Sequence, residues 1–125
     1  MVYNGINYAE KYYGSNKRDY PCYFNPVGIT KYINNLKNIK LTQELFLEKE
    51  NLIEHDPNAI KIIDINKNTI GYVKKDNLNL KNKINNIISE YRLFVSKKGE
   101  FINKDKNVIP YLTLVLHDKF SYQNQ

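Results

Sequence analysis

Two stretches decide how this chain reads: His55-Asp56-Pro57-Asn58-Ala59-Ile60-Lys61-Ile62, and then Ile70-Gly71-Tyr72-Val73-Lys74-Lys75. Asp56-Pro57-Asn58 is turn chemistry. An Asp side chain accepts from backbone N–H groups two residues on, and Pro presets φ at the second turn position. Asp56 thus has a local role as a turn cap before any other is considered. Ala59 to Ile65 is almost wholly apolar, which predicts a strand covered on both faces. Asn66-Lys67-Asn68 predicts a tight reversal, and Thr69 to Val73 returns antiparallel. In such a hairpin the start of the first strand lies beside the end of the second. A site, if the chain carries one, belongs there.

Toward the N-terminus, Leu41, Gln43, Leu45 and Leu47 alternate with Thr42, Glu44, Phe46 and Glu48. That pattern predicts a half-buried antiparallel strand over 41–49, with a loop from Glu50 to Glu54. Residues 22–33 also read as a strand starting after Pro26, with Val27, Ile29, Lys31 and Ile33 on one face and Gly28, Thr30 and Tyr32 on the other. Residues 1–22 hold Tyr3, Tyr8, Tyr12, Tyr13 and Tyr20 among Gly and Pro breakers, and read as an arm with at most one helical turn. Its rings could stack on bases or pack on the domain surface.

Toward the C-terminus the period changes. Leu80, Ile84, Ile87, Ile88 and Tyr91 lie on one face of a helix capped by Asp76 or Asn77. Lys74 and Lys75 precede the cap, so two cations and a helix N-terminus share a corner that favours an anion such as phosphate. Arg92 to Ile102 reads as strand with a turn near Lys97-Lys98-Gly99. Asn103 to Asn107 reads as a turn, and Val108 to Leu116 as the last strand, with Pro110 at an edge or bulge. The sum is a mainly β domain with one or two short helices: a small OB-like antiparallel β-barrel of five or six strands. The expected organisation is an arm (1–22), the barrel domain (23–118) and a polar tail (119–125).

Composition narrows the function classes. The 125 residues suffice for a single core without staples. One cysteine, Cys22, excludes an internal disulfide framework and a Cys-rich zinc site, and reads as core in a reducing compartment. No apolar run is long enough to span a bilayer, and no secretory signal is evident, so the expected location is cytoplasmic. The net charge is +6, and residues 73–125 hold ten basic against five acidic groups. A basic surface attracts polyanions, nucleic acid first, although an Asn-, Ile- and Lys-rich composition also follows from an AT-rich genome. His55 and His117 show no metal-ligand spacing, and there is no Gly-rich phosphate loop or nucleophile elbow. These features point to a binding module rather than an enzyme, with no metal and no cofactor.

Val27-Gly28-Ile29, a spacer with a Leu-rich strand, Asp56-Pro57-Asn58-Ala59-Ile60-Lys61-Ile62 and Ile70-Gly71-Tyr72-Val73 together resemble the HIRAN domain family. The resemblance covers roughly residues 24–117. It implies an OB-like barrel that, in members attached to fork-remodelling translocases, captures the 3′-hydroxyl end of single-stranded DNA. The chain looks like a stand-alone member, expected to be monomeric. By resemblance, Asp56 accepts a hydrogen bond from the terminal hydroxyl, His55 takes the place of a stacking ring, and Tyr72 follows the strand glycine. Lys75, with Lys74, falls where a lysine contacts phosphate. Thr30 and Lys31 fall where the DNA-binding members carry an Arg-aromatic pair, a departure that Lys31 and the neighbouring Tyr32 only partly make good. Tyr111 or Phe101 is the candidate for a further pocket ring. The alternative function is a protein-interaction module, such as a phage-type accessory factor that uses the same fold to bind a partner protein.

Overall fold

The computed structural model describes residues 20–50 and 59–119. His55 and Asp56, most of the tyrosine arm and the polar tail after Lys119 lie outside the described residues.

Within them, six strands form one antiparallel sheet: β1 (Cys22–Phe24), β2 (Glu44–Glu50), β3 (Ala59–Ile63), β4 (Thr69–Tyr72), β5 (Tyr91–Ile102) and β6 (Val108–Asp118), in spatial order β1-β6-β5-β2-β3-β4. The ladder is not closed from edge to edge. Its two edges nevertheless meet at one point, because Val27, just past β1, pairs with Tyr72 of β4. Val27 N donates to Tyr72 O at 2.8 Å and Tyr72 N donates to Val27 O at 3.0 Å. The result is a curled, barrel-like sheet whose seam is a single residue pair.

The alternation read in β6 holds, and that read over 41–49 holds from Leu45, but the strand starts only at Glu44, because Thr42 takes a positive φ in a turn that leaves Leu41 exposed. Leu45, Ile60, Ile62, Ile70, Leu93, Leu112, Leu114 and Leu116 are all buried in one cluster. β3 is the strand enclosed on both faces: Ala59, Ile60, Ile62 and Ile63 are buried, and only Lys61 is partly exposed. The reversal after it is organised by Asp64, whose Oδ1 accepts from the N–H groups of Asn66 and Asn68, while Lys67 takes a positive φ. Helix α2 (Leu78–Ile87) is capped by Asn77, whose side chain accepts from Leu80 N. Leu80 and Ile84 face the core. Tyr20 and Cys22, read as part of the arm, pack against that core, and the Tyr20 hydroxyl donates to Lys83 O at 2.6 Å.

Three further expectations are corrected. Residues 27–33 are not a strand. Gly28 adopts a left-handed conformation (φ 75°, ψ 10°) that turns the chain into a 3-10 turn, Ile29–Tyr32, and a short helix α1, Ile33–Leu36. Ile29 and Leu36 are buried and Ile33 half-buried, so the apolar residues that looked alternate also satisfy a helical spacing. Lys97-Lys98-Gly99 is not a turn. β5 runs unbroken through it, with a register shift between Val95 and Lys97 that marks a bulge at Ser96. Tyr91 belongs to β5, not to the helix. Its hydroxyl accepts from Leu47 N at 2.8 Å, where β2 has run past its short pairing with β5.

Beyond that bulge, β5 and β6 continue as a two-stranded ribbon. β2 pairs with β5 at Leu93 and Phe94, and β1 pairs with β6 at Leu114 to Leu116, which leaves Lys97–Ile102 and Val108–Thr113 paired only with each other. Pro110 lies in this ribbon, on the part of β6 with an open edge, as the missing N–H requires.

Candidate nucleic-acid interface

The seam at Val27 and Tyr72 gathers most of the candidate residues that the structure describes. Its geometry follows from two glycines. A Cβ on Gly71 would sit 2.9 Å from Val27 O and 3.0 Å from Ile29 Cγ2, so only glycine lets the 27–29 segment lie directly on β4. Gly28 supplies the positive φ that starts the 3-10 turn, and Lys31 N donates back to Gly28 O. The Val-Gly and Ile-Gly pairs are therefore two halves of one contact.

That contact carries Tyr32 to Tyr72. Their ring centroids stand 6.4 Å apart, tilted by 43°, and the Lys31 ammonium lies 5.6 Å from the Tyr32 centroid. Two half-buried rings with a cation beside them offer stacking and cation–π surface. Thr30 is exposed on the same 3-10 turn.

The Tyr72 hydroxyl is already engaged. It donates to Glu50 Oε2 at 3.1 Å, and that same oxygen lies 2.6 Å from Lys61 Nζ. Lys61 also reaches Glu48 at 3.9 Å. The Lys61 ammonium, by its hydrogen bond, holds the Glu50 carboxyl below its usual range, and Glu50 in turn raises the Lys61 value. Burial first, then the bond to Glu50, pushes the Tyr72 phenol well above its ordinary value. Tyr72 is thus a neutral ring at all physiological pH, fixed by its hydroxyl and by both backbone groups. Glu50 and Lys61 were not among the residues singled out by sequence. Glu50 was read as loop, whereas β2 extends to it and it pairs in register with Ala59. The available signal was Lys61 itself, a lone charge in an apolar strand.

Lys74 and Lys75 are exposed just after β4. Val73 N donates to Ile60 O, which places the chain leading to these lysines beside the start of β3. A shallow pocket of about 250 Å³ here is lined by Lys74, Asp76 and Asn77. Asp76 puts a carboxylate in the corner expected to be cationic, and the Asn77 side chain occupies one N–H at the helix start. Tyr111 and Phe101 are exposed on the β5–β6 ribbon. Among the described residues no cluster of His, Cys, Asp and Glu could hold a metal, and no helix is long and apolar enough to cross a membrane.

A family model for the HIRAN domain matches residues 20–109, most of the chain. No curated protein matches it. Among solved structures, a protein from Lactobacillus plantarum is similar, with a TM-score of 0.49 and 15% identity over 76% of this chain and 91% of that one. The HIRAN domain of human HLTF is similar with a TM-score of 0.48 and 18% identity, over 82% of this chain and 80% of that one.

Proposed function

The chain belongs to the HIRAN domain family, and from that premise we propose that it is a nucleic-acid-binding module that takes the 3′-hydroxyl end of single-stranded DNA at the seam between Val27 and Tyr72, without catalysis of its own. The observation that carries this reading is the Tyr32–Tyr72 ring pair with Lys31 beside it. A terminal base stacks on these rings, Tyr72 offering its face because its hydroxyl is held by Glu50. Asp56 accepts the hydrogen bond of the free hydroxyl, and His55 adds stacking area. A carboxylate suits that role, since a free hydroxyl donates to it whereas a terminal phosphate is repelled. Lys74 and Lys75 neutralise phosphates further along the backbone. Tyr32 replaces part of the ring surface that Thr30 does not provide. Each stacking platform contributes about 1–3 kcal/mol, so a site with two rings and a histidine binds a strand end without base specificity.

The test is fluorescence anisotropy with matched oligonucleotides ending in a 3′-hydroxyl or a 3′-phosphate. The hydroxyl end binds more tightly, Asp56→Ala removes that preference, and Lys75→Ala weakens both ligands alike and lowers the salt dependence. Equal, weak and salt-erased binding of both ends contradicts the end-reading role. Recovery of one specific protein partner, insensitive to nuclease and lost in Tyr72→Ala, favours the protein-interaction alternative instead.

A further inference from the structure

The two open edges of the β5–β6 ribbon differ in what they can accept. Two backbone bonds fix which groups face outward. Val95 N donates to Gln43 O, just before β2, at 2.9 Å, and Asn103 N donates to Asn107 O across the ribbon's end at 3.0 Å. With the bulge at Ser96 between them, alternation along β5 turns the N–H and C=O groups of Lys98, Glu100 and Ile102 away from β6. On β6 the outward positions are their partners Leu112, Pro110 and Val108. Pro110 thus interrupts the β6 edge in its middle, as proteins do to prevent strand addition. The β5 edge has no such block. Among the described residues, no backbone group pairs with Lys98, Glu100 or Ile102 on that side.

The inner face beside this edge is apolar and partly hollow. Lys98, Glu100 and Ile102 share it with Leu112, Pro110 and Val108, because directly opposed residues point the same way. A pocket of about 200 Å³ lies between this face and α1, with Ile33, Leu36, Lys37, Lys98, Glu100 and Pro110 on its walls. The Lys98 ammonium donates to Ile39 O, which ties the loop after α1 to the start of the edge. Toward the ribbon tip, Ile102 is 69% exposed and Val108 58%. Neither belongs to the core cluster.

Charge selects the occupant. Lys97, Lys98, Lys104 and Lys106 outnumber Glu100 and Asp105 along the ribbon, and the exposed Lys37 stands at the pocket. A second copy would bring the same excess, at a net charge of +6 per chain, and two-fold pairing about Glu100 would set two carboxylates side by side. Nucleic acid has the right sign but lacks the alternating donors and acceptors that a strand edge pairs.

We propose that the β5 edge from Lys98 to Ile102 takes an extended acidic segment of a partner protein as an added strand. Residues of that segment across from Lys98, Glu100 and Ile102 turn their backbone groups to β5 and their side chains to the inner face. Apolar side chains at these positions fill the pocket and cover Ile102. Acidic side chains at the alternate positions lie on the other face, beside Lys97 and away from Glu100. Main-chain bonds supply affinity and the pocket supplies selectivity. The site is separate from the seam and does not depend on reading the seam as a strand-end site.

The test titrates a fluorescein-labelled octapeptide of alternating valine and aspartate into the full chain, read by anisotropy and by NMR amide exchange. The peptide binds, and exchange slows at Glu100 and Ile102 while Val108 and Leu112 on β6 exchange as before. Methylating the valine nitrogens, which face β5, weakens binding roughly tenfold or more, and methylating the aspartate nitrogens does not. Glu100→Pro removes an outward N–H and no ladder bond, and Ile102→Asp adds a like charge; each lowers affinity roughly fivefold or more. Absence of binding at millimolar peptide, or equal binding of the two methylated peptides, overturns the proposal. So does displacement of the peptide by oligothymidine, which would assign the surface to nucleic acid. Protection of Glu100 and Ile102 that grows with protein concentration without peptide would assign the edge to a second copy, and the proposal falls.

Discussion

The seam and the ribbon are built in opposite ways. At the seam three segments converge, and nearly every group is used by the fold: Gly71 for close approach, Gly28 for its positive φ, both backbone groups of Tyr72 for the bridge, and its hydroxyl for Glu50. At the ribbon two strands pair only with each other, and large apolar side chains stand in water. The difference teaches where structure alone explains a residue. A binding role at the seam must share groups already fixed by folding, which makes it rigid. At the ribbon Tyr111 packs one side of its ring on Gly99, while Phe101 and Ile102 stand largely exposed.

The contrast can be broken most severely by truncating one isoleucine in each region. Ile70 is fully buried in β4, and Ile70→Ala is expected to cost about 2–5 kcal/mol in urea unfolding. Ile102, 69% exposed on the ribbon, is expected to change stability by no more than about 0.5 kcal/mol when replaced by Ala. Similar costs for the two would mean that the ribbon is covered in solution. A smaller effect separates the seam's glycine from an ordinary strand glycine. Gly71→Ala forces Val27 and Ile29 away and is expected to cost about 1–3 kcal/mol. It should also loosen the Tyr32–Tyr72 pair, visible as line broadening of those rings in NMR spectra.

The smallest expected effect is electrostatic. The Glu50 carboxyl is lowered from 4.5 by Lys61, so its contribution is complete above that pH and is lost as pH falls through the depressed folded value. Lys61, raised from 10.5, contributes fully below that pH and loses its contribution as pH climbs through the elevated folded value. The pair is partly exposed, and such pairs contribute up to about 1 kcal/mol. Glu50→Gln should therefore lower the melting temperature slightly at neutral pH and flatten its fall below pH 4.5. An unchanged acid limb in the variant would show that the pair contributes nothing.

Much of this architecture was legible in the residues. The alternation of Leu45 and Leu47, the apolar run from Ala59 and the helical spacing of Leu80 and Ile84 each have one dominant physical reading. Residues 27–33 did not, because Val27, Ile29 and Ile33 satisfy a strand period while Ile29, Ile33 and Leu36 satisfy a helical one, and only the φ of Gly28 decides. Lys97-Lys98-Gly99 has turn composition, yet Gly99 is there to lie under Tyr111. Of the candidate residues, Lys31, Tyr32 and Tyr72 were chosen from sequence and lie together in the structure. Glu50 and Lys61 were missed because their partnership depends on β2–β3 register, which composition does not encode. Asp56 and His55 remain part of the proposal through the family motif.

The most direct test of the central claim is an NMR titration of the isotope-labelled full chain with a short 3′-hydroxyl oligothymidine. The account predicts amide and ring shifts centred on Lys31, Tyr32, Gly71 and Tyr72, persisting at roughly 0.2 M salt because stacking and a hydroxyl contact outlast screening. Shifts scattered over exposed lysines and erased at that salt, with the Tyr32 and Tyr72 signals unmoved, would contradict it.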